Sequence, residues 1–479
     1  MTRKSRVPSQ PAWLAGIVLA MSEVPVSASR AIPSSETLQG SERRALVAIL
    51  LAVALATLDT AIANTALPVI AADLHAQPAT SIWIINAYQL AVVATLLPFA
   101  ALGDLVGPRR VYLGGLAFFT AASLACAVAN TVPTLAAARA LQGIGAGAVM
   151  SVNIALIRLI YPAARLGRGV GLNALVVGVA FAVGPSIASL VLAVATWPWL
   201  FAINVPLGLI AFAFALPALP RSARRGDGFD PVTAFLTATT FAALILALGT
   251  AAQREPILVV LGSVVIFIAF GALLLRRESG HSTPMLPVDL LRRPMFALST
   301  VTALTSFAAQ GLAFVSLPFY FEADLHRNPV DTGFLMTPWP IVVAIAAPFA
   351  GRLSDHYPPG LLGGVGLAIL SAGLVSLAAL PPDPQVLGIV IRMAICGFGF
   401  GFFQAPNLRA LMSSAPPERS GGASGMIALA RLTGQATGAA LVALCFGLAG
   451  IRGPVWALGL GAAFAALASV ASFARLWAR

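Results

Sequence analysis

The sequence predicts an all-α polytopic membrane protein of fourteen transmembrane helices, arranged as two six-helix bundles with an inserted two-helix hairpin. Three observations predict it. Of 479 residues, 59% are hydrophobic and only 10% charged, against roughly 25% charged in a soluble domain. Apolar runs of spanning length recur along the chain. The basic residues between them fall on alternate sides.

A soluble surface cannot be covered with so few charges, whereas lipid needs no such cover. The 43 glycines fit close helix approach in a bilayer. A formal charge of +12 would point to nucleic acid in a soluble chain. Here the basic residues sit in short loops and set topology, so no nucleic-acid partner is expected. Cys126, Cys396 and Cys445 lie in apolar runs, and no disulfide or Cys-x-x-Cys site is expected. His75, His281, His326 and His356 are scattered in loops without metal-ligand spacing. No metal and no cofactor is expected.

Residues 1–44 are polar and read as a disordered cytoplasmic tail. Their apolar stretch from Trp13 to Met21 is too short to span; its basic front leaves a signal peptide as the alternative, and Met21 as an alternative start. Spans of about 20 residues follow at 45–70, 81–102, 111–129, 134–157, 168–194, 197–217 and 231–250. Seven more follow at 256–275, 295–321, 332–350, 360–380, 385–411, 421–449 and 454–474. With the N-terminus inside, 23 of the 29 Lys and Arg residues fall in cytoplasmic segments and 3 (Arg254, Arg327, Arg452) outside. The remaining 3, Arg139, Arg392 and Arg431, lie within spans. A wrong count would scramble this alternation. Both ends are therefore expected in the cytoplasm. The longest loop, about 20 residues, has no room for a soluble catalytic domain.

The chain repeats itself. Leu102-Gly103-Asp104 and Leu353-Ser354-Asp355 both end a span on the cytoplasmic side, 251 positions apart (355 − 104). Arg139 precedes Gly143, Gly145 and Gly147; Arg392 precedes Gly397, Gly399 and Gly401, at an offset of 253 (392 − 139). Two pairs at nearly one offset predict parallel duplicated halves, 45–220 and 294–479, with 221–293 holding an inserted hairpin and its basic flanks.

These residues resemble the major facilitator superfamily, in particular its fourteen-helix drug:proton antiporter branch. The likeness rests on Leu58-Asp59-Thr60 through Leu67-Pro68, on Trp83 with Tyr88, and on Leu102-Gly103-Asp104 through Arg109-Arg110. It rests further on Arg139-Ala140-Leu141-Gln142-Gly143, on Phe201-Ala202-Ile203-Asn204-Val205-Pro206, and on Arg431 with Gly434 and Gly438. In the fifth span Gly171, Gly184 and Pro185 match the antiporter motif, while Ala180, Ala188 and Ser189 stand where glycines are usual. Leu105 and Pro108 replace basic residues of the loop motif. The resemblance implies a monomeric secondary transporter in a bacterial inner membrane. It would export lipophilic small molecules, cations among them, in exchange for protons by alternating access.

Asp59 carries the expected chemistry. An Asp at mid-span costs roughly 2.5–3.5 kcal/mol on insertion scales and should face the bundle interior or a wet cavity. There a proton and a cationic substrate would compete for it; an Asp59 sealed from water would count against that. Arg139 is the expected fixed charge that couples to it, and Asn64, Gln142 and Arg431 are expected cavity residues. Asp104 with Arg109 and Arg110, repeated at Asp355, is expected to latch the state closed on the inside. Gly184-Pro185 is expected to kink the fifth helix. The rival readings are a proton symporter for uptake, a membrane-embedded enzyme and a membrane sensor. The last two lack, respectively, clustered acids at membrane depth and an output domain.

Overall fold

A computed structural model describes residues 40–161, 166–220, 230–252, 256–278, 289–416 and 419–478. The expected tail up to 39 and the basic flanks at 221–229 and 279–288 lie outside the described residues. Ser41–Arg479 forms one compact unit. Among the described residues the chain is helical, with no strand.

The long helices are α1 (Gly40–Asp73), α2 (Trp83–Val106), α3 (Pro108–Ala127), α4 (Val132–Ile160), α5 (Leu166–Val194), α6 (Asn204–Ala218) and α7 (Pro231–Ala252). They continue as α8 (Ile257–Glu278), α9 (Pro294–Phe319), α10 (Pro338–Leu353), α11 (Pro359–Ala378), α12 (Val386–Ser414), α13 (Ser420–Ala449) and α14 (Gly453–Ala474). Short helices at Pro78–Ser81, Pro198–Ala202 and Pro329–Met336 precede α2, α6 and α10. Thirteen candidate membrane spans are found among the described residues; the last, Gly425–Ala474, runs through both α13 and α14. α1 starts at Gly40, so the last five positions expected as tail are helical.

Helix is the form in which an apolar run satisfies its own backbone away from water. Its starts are written locally. Proline opens α3, α7, α9, α10 and α11, where its missing N–H costs nothing. Thr131 caps α4: Thr134 N donates to Thr131 Oγ1 at 3.3 Å, and Thr131 N to Thr134 Oγ1 at 3.2 Å. Almost nothing of α8 is buried, and Leu258 is 78% exposed. Such a face is stable only against lipid.

The predicted duplication reappears as packing. α4 lies between α2 and α3, and α12 lies between α10 and α11. A Cβ on Gly145 would fall 2.5 Å from Phe119 N of α3, and one on Gly399 would fall 2.5 Å from Leu370 N of α11. On the other face, Gly143 meets Tyr88 of α2 and Gly397 meets Trp339 of α10. The same glycine spacing sets the same helix triplet twice.

At the end that the positive-inside rule assigns to the outside, the two halves share one apolar cluster. Ile62 and Leu67 of α1, Leu135 of α4, Leu312 and Val315 of α9, and Val442 of α13 are all buried in it. The opposite end holds Arg475, which the sequence reads as a loop charge. It is 3% exposed and donates to Asn407 Oδ1 of α12 at 2.8 Å and Ser299 Oγ of α9 at 3.1 Å.

α7 and α8 form an antiparallel pair joined at one end by charge. Arg277 donates to Asp230 through Nε at 3.1 Å and Nη2 at 3.2 Å. These bonds, with help from Thr233, hold the Asp230 carboxyl well below the usual carboxylate range. A carboxyl depressed in the folded state contributes stability above its unfolded value of about 3.9 and loses it as pH falls below that. Amide hydrogen exchange at the start of α7 is therefore expected to speed up below about pH 4, and in Asp230→Asn to be fast already at neutral pH. Equal protection in both proteins at neutral pH would remove this role.

Candidate functional site

Four helices bring polar groups to one buried point. α1 supplies Asp59, α4 supplies Arg139 and Gln142, one turn apart on one face, α6 supplies Asn204 from its first residue, and α3 supplies Ser123 and Cys126. Arg139 Nη1 pairs with Asp59 Oδ2 and donates to Gln142 Oε1 at 2.5 Å. Arg139 Nε donates to Ile84 O at 3.3 Å. The second carboxylate oxygen, Asp59 Oδ1, accepts from Gln142 Nε2 at 2.9 Å and Asn204 Nδ2 at 2.7 Å. Gln142 Nε2 also donates to Ser123 Oγ at 2.8 Å.

Aromatic faces complete the enclosure. The Arg139 guanidinium carbon sits 4.1 Å from the Tyr88 ring centroid and 5.4 Å from that of Phe201. Cation–π contact of this kind adds about 0.5–2 kcal/mol. Tyr88 is itself fixed by its hydroxyl, which donates to Ala56 O at 3.2 Å. Two atoms inside the cluster have no partner: Arg139 Nη2 and Asn204 Oδ1.

Asp59 is 1% exposed and Arg139 0%. Of the two expected positions, Asp59 takes the bundle interior and not a wet cavity in this conformation. The physical reason is internal satisfaction: one guanidinium and two amides take up both carboxylate oxygens. A proton and a substrate cannot meet on Asp59 directly here.

The other expected residues are spread more widely. Gln142 joins Asp59 and Arg139, whereas Asn64 does not: it is buried on α1 with Oδ1 unpartnered. Arg431 lies far along the chain on α13, partly exposed. Arg392, the repeat counterpart of Arg139, meets no acid; its guanidinium donates to Ser376 O at 3.1 Å and Gly388 O at 2.9 Å.

The residues of the expected latch lie at the helix ends. Arg109 Nη2 donates to Leu216 O at the end of α6, at 2.5 Å. Asp355 pairs with Arg409 of α12, so it ties α10 to α12 within one half. Arg158, at the end of α4, stands 251 positions before Arg409 (409 − 158), the same offset as Asp104 to Asp355. Asp104 itself is exposed at the end of α2, and Arg110 is exposed in the first turn of α3.

In the fifth helix, a Cβ on Gly184 would strike Ala61 of α1, two residues from Asp59. Gly184 lets α5 approach the cluster. Gly171 has open space around it, and helix α5 continues through Pro185. The role of Gly184 is close packing rather than conformational freedom.

Two residues escaped the sequence reading. Asn204 enters it only within the Phe201–Pro206 stretch that carries the resemblance, with no role at the site. Glu322 lies in a π-turn, Tyr320–Asp324, that prolongs α9 past the expected boundary at 321. Its Oε1 is buried without a partner. Wide turns of this type often mark functional sites.

Comparison with known proteins places this arrangement. The Major Facilitator Superfamily profile matches residues 49–439 and 298–478. The chain is 48% identical to an uncharacterized transporter, YebQ, of Escherichia coli K12, covering 90% of this chain and 95% of the other. It is 30% identical to the riboflavin transporter RibZ of Clostridioides difficile, over 84% of this chain and 87% of that one. Identity to the tetracenomycin C resistance and export protein of Streptomyces glaucescens is 29%, over 85% and 76%. Among solved structures, a bacterial homolog of the human lysosomal transporter Spinster matches with a TM-score of 0.66 at 14% identity. That match covers 92% of this chain and 98% of that one. The chain is a polytopic membrane transporter and belongs to the Major Facilitator Superfamily.

Proposed function

We propose that the chain is a secondary active exporter of lipophilic small molecules, driven by proton exchange through alternating access. It works as a monomer in the bacterial inner membrane, with both termini cytoplasmic. The observation that carries this reading is the Asp59–Arg139 pair, Asp59 near the middle of α1 and Arg139 two turns into α4, both buried and with amide donors on the carboxylate.

The pair converts a proton into a conformational preference. Removing one charge from a buried ion pair costs about 3–5 kcal/mol, because the other charge is left uncompensated. A proton on Asp59 does this to Arg139. The guanidinium then needs another acceptor, and Asn204 Oδ1 is buried beside it without a donor. Moving Arg139 shifts α4 against α1 and α6, the helices that carry the cluster. Proton and cargo thereby interact through Arg139 and helix position, not on a shared carboxylate. Resistance and export by the tetracenomycin C relative favours outward transport.

The test uses purified protein in liposomes, with efflux of a fluorescent substrate driven by an imposed proton gradient. Asp59→Asn is expected to lose gradient-driven efflux while retaining substrate exchange at equilibrium. Gradient-driven transport at the wild-type rate in that variant would refute the reading. Accumulation against the expected direction would favour proton symport.

A further inference from the structure

Two intramembrane arginines stand outside the Asp59 cluster: Arg392, which donates to backbone carbonyls, and Arg431. Arg431 lies near the middle of α13 and makes no hydrogen bond or ion pair among the described residues. An arginine at helix centre costs about 2.5–3.5 kcal/mol on insertion scales, and such residues face the interior or a wet cavity and take a partner.

The register of α13 shows which way it faces. Gly434 and Gly438 press against Leu304 and Ala308 of α9. Leu429 and Leu432 are buried in the cluster shared with Val92 and Leu96 of α2. The sector between these faces holds Arg431 and, one turn on, Gln435. Val442, 11 positions further along, shares this sector, since 11 residues make about three turns and rise about 16 Å. Val442 is buried in the same end-closing cluster as Ile62 and Leu67 of α1. Arg431 therefore faces the gap between the two halves, below that closure.

The same wall holds only donors and neutral amides. Gln435 Nε2 donates to Gln310 Oε1 of α9 at 3.1 Å, which leaves further amide hydrogens unused. Leu55 and Ala56 of α1 share the cluster of Leu429 and Leu432, and Leu51, Ala54 and Leu58 on the same helix are partly exposed and apolar. A site with one unpaired guanidinium, spare amide donors and a greasy opposite wall repels cations.

Building on the export reading, we propose that Arg431, with Gln310 and Gln435, recognises the acidic group of the cargo, and that the cargo is a lipophilic organic anion. Its body packs on α1, and its carboxylate, sulfonate or acidic phenol takes the guanidinium fork, which matches a planar anion bidentately. This replaces the cationic cargo that the sequence suggested. It also fixes the electrical sign of transport. One proton in for one monovalent anion out carries two positive charges inward, so an interior-negative potential drives export even without a proton gradient.

The test is equilibrium binding of two xanthene dyes of opposite charge, fluorescein and rhodamine 6G, to the full chain in nanodiscs near neutral pH. Fluorescein is expected to bind more tightly than rhodamine 6G. Arg431→Gln should weaken fluorescein by roughly tenfold to a hundredfold, the factor of a charge-assisted hydrogen bond, while Arg431→Lys, which keeps the charge but not the fork, loses less than Arg431→Gln. Melting temperature and monodispersity show that each variant is folded. Three results overturn the proposal: tighter rhodamine 6G binding by the wild type, no saturable fluorescein binding, or unchanged fluorescein affinity in Arg431→Gln. Binding is read with no gradient, so it can fail while the Asp59→Asn result stands, and the reverse.

Discussion

Asp59→Ala is expected to destabilise the folded protein more than Arg139→Ala does. Both break one buried pair, for which the general cost is about 3–5 kcal/mol. The two residues left behind differ. A guanidinium cannot shed its proton in a protein, so Arg139 stays charged among Tyr88, Phe201 and the helix backbone. A carboxyl can take up a proton and become neutral, and Asp59 keeps its donors Gln142 and Asn204. The Arg139 variant therefore escapes part of the cost. Replacing both by leucine removes both charges, and such exchanges are often neutral or stabilising. The double variant should melt close to the wild type while showing no proton-driven transport. Thermal unfolding in detergent, followed by tryptophan fluorescence, orders the three proteins. An Asp59→Ala protein that melts no earlier than Arg139→Ala would contradict this electrostatic account.

Gly145→Val is expected to prevent correct packing altogether. A Cβ at 145 would lie 2.5 Å from Phe119 N and 2.7 Å from Phe119 Cα. Both are backbone atoms, which cannot rotate away as a side chain can. Overpacking a tight core costs about 1–3 kcal/mol and sometimes more; here α3 and α4 must separate along their length, which would also displace Arg139 and Gln142. The internal control is Gly171→Val, where nothing lies within 4 Å. That variant should reach the membrane at wild-type levels, so any loss of transport it shows would be functional. Yield of a fluorescent fusion after size-exclusion chromatography separates the two. Equal monodisperse yields for both valine variants would mean that the α3–α4 contact is looser than described.

Much of this was legible in the sequence because lipid imposes a simple code. Apolar length gives the helices, and basic residues give the alternation. The glycine spacing at 143, 145 and 147, repeated at 397, 399 and 401, encodes contact on two neighbours and could be read before any coordinates. Asp59 and Arg139 stood out because each is an expensive charge in an apolar run. Their partners were harder to read. Asn204 is 145 positions from Asp59 in sequence, and nothing local distinguishes it from a helix cap. Asp355 and Arg409, 54 positions apart, pair through the packing of α10 on α12, while Arg109, close to Asp104 in sequence, donates to a backbone carbonyl. Glu322 lay just beyond an apolar run whose helix was carried further by a π-turn. Sequence marks which groups are costly to bury; the fold decides what relieves the cost.

Helix α7 packs on α2 and on α13 as well as on α8, and Gly249 abuts Trp83. It thereby bridges the seam where the two halves meet on that flank. An oily cargo dissolved among acyl chains would find this side boarded up. On the opposite flank the halves meet through α5, which packs on α10 and on the Pro329–Met336 segment. The additional hairpin gives the transporter a back wall that braces both halves on this flank.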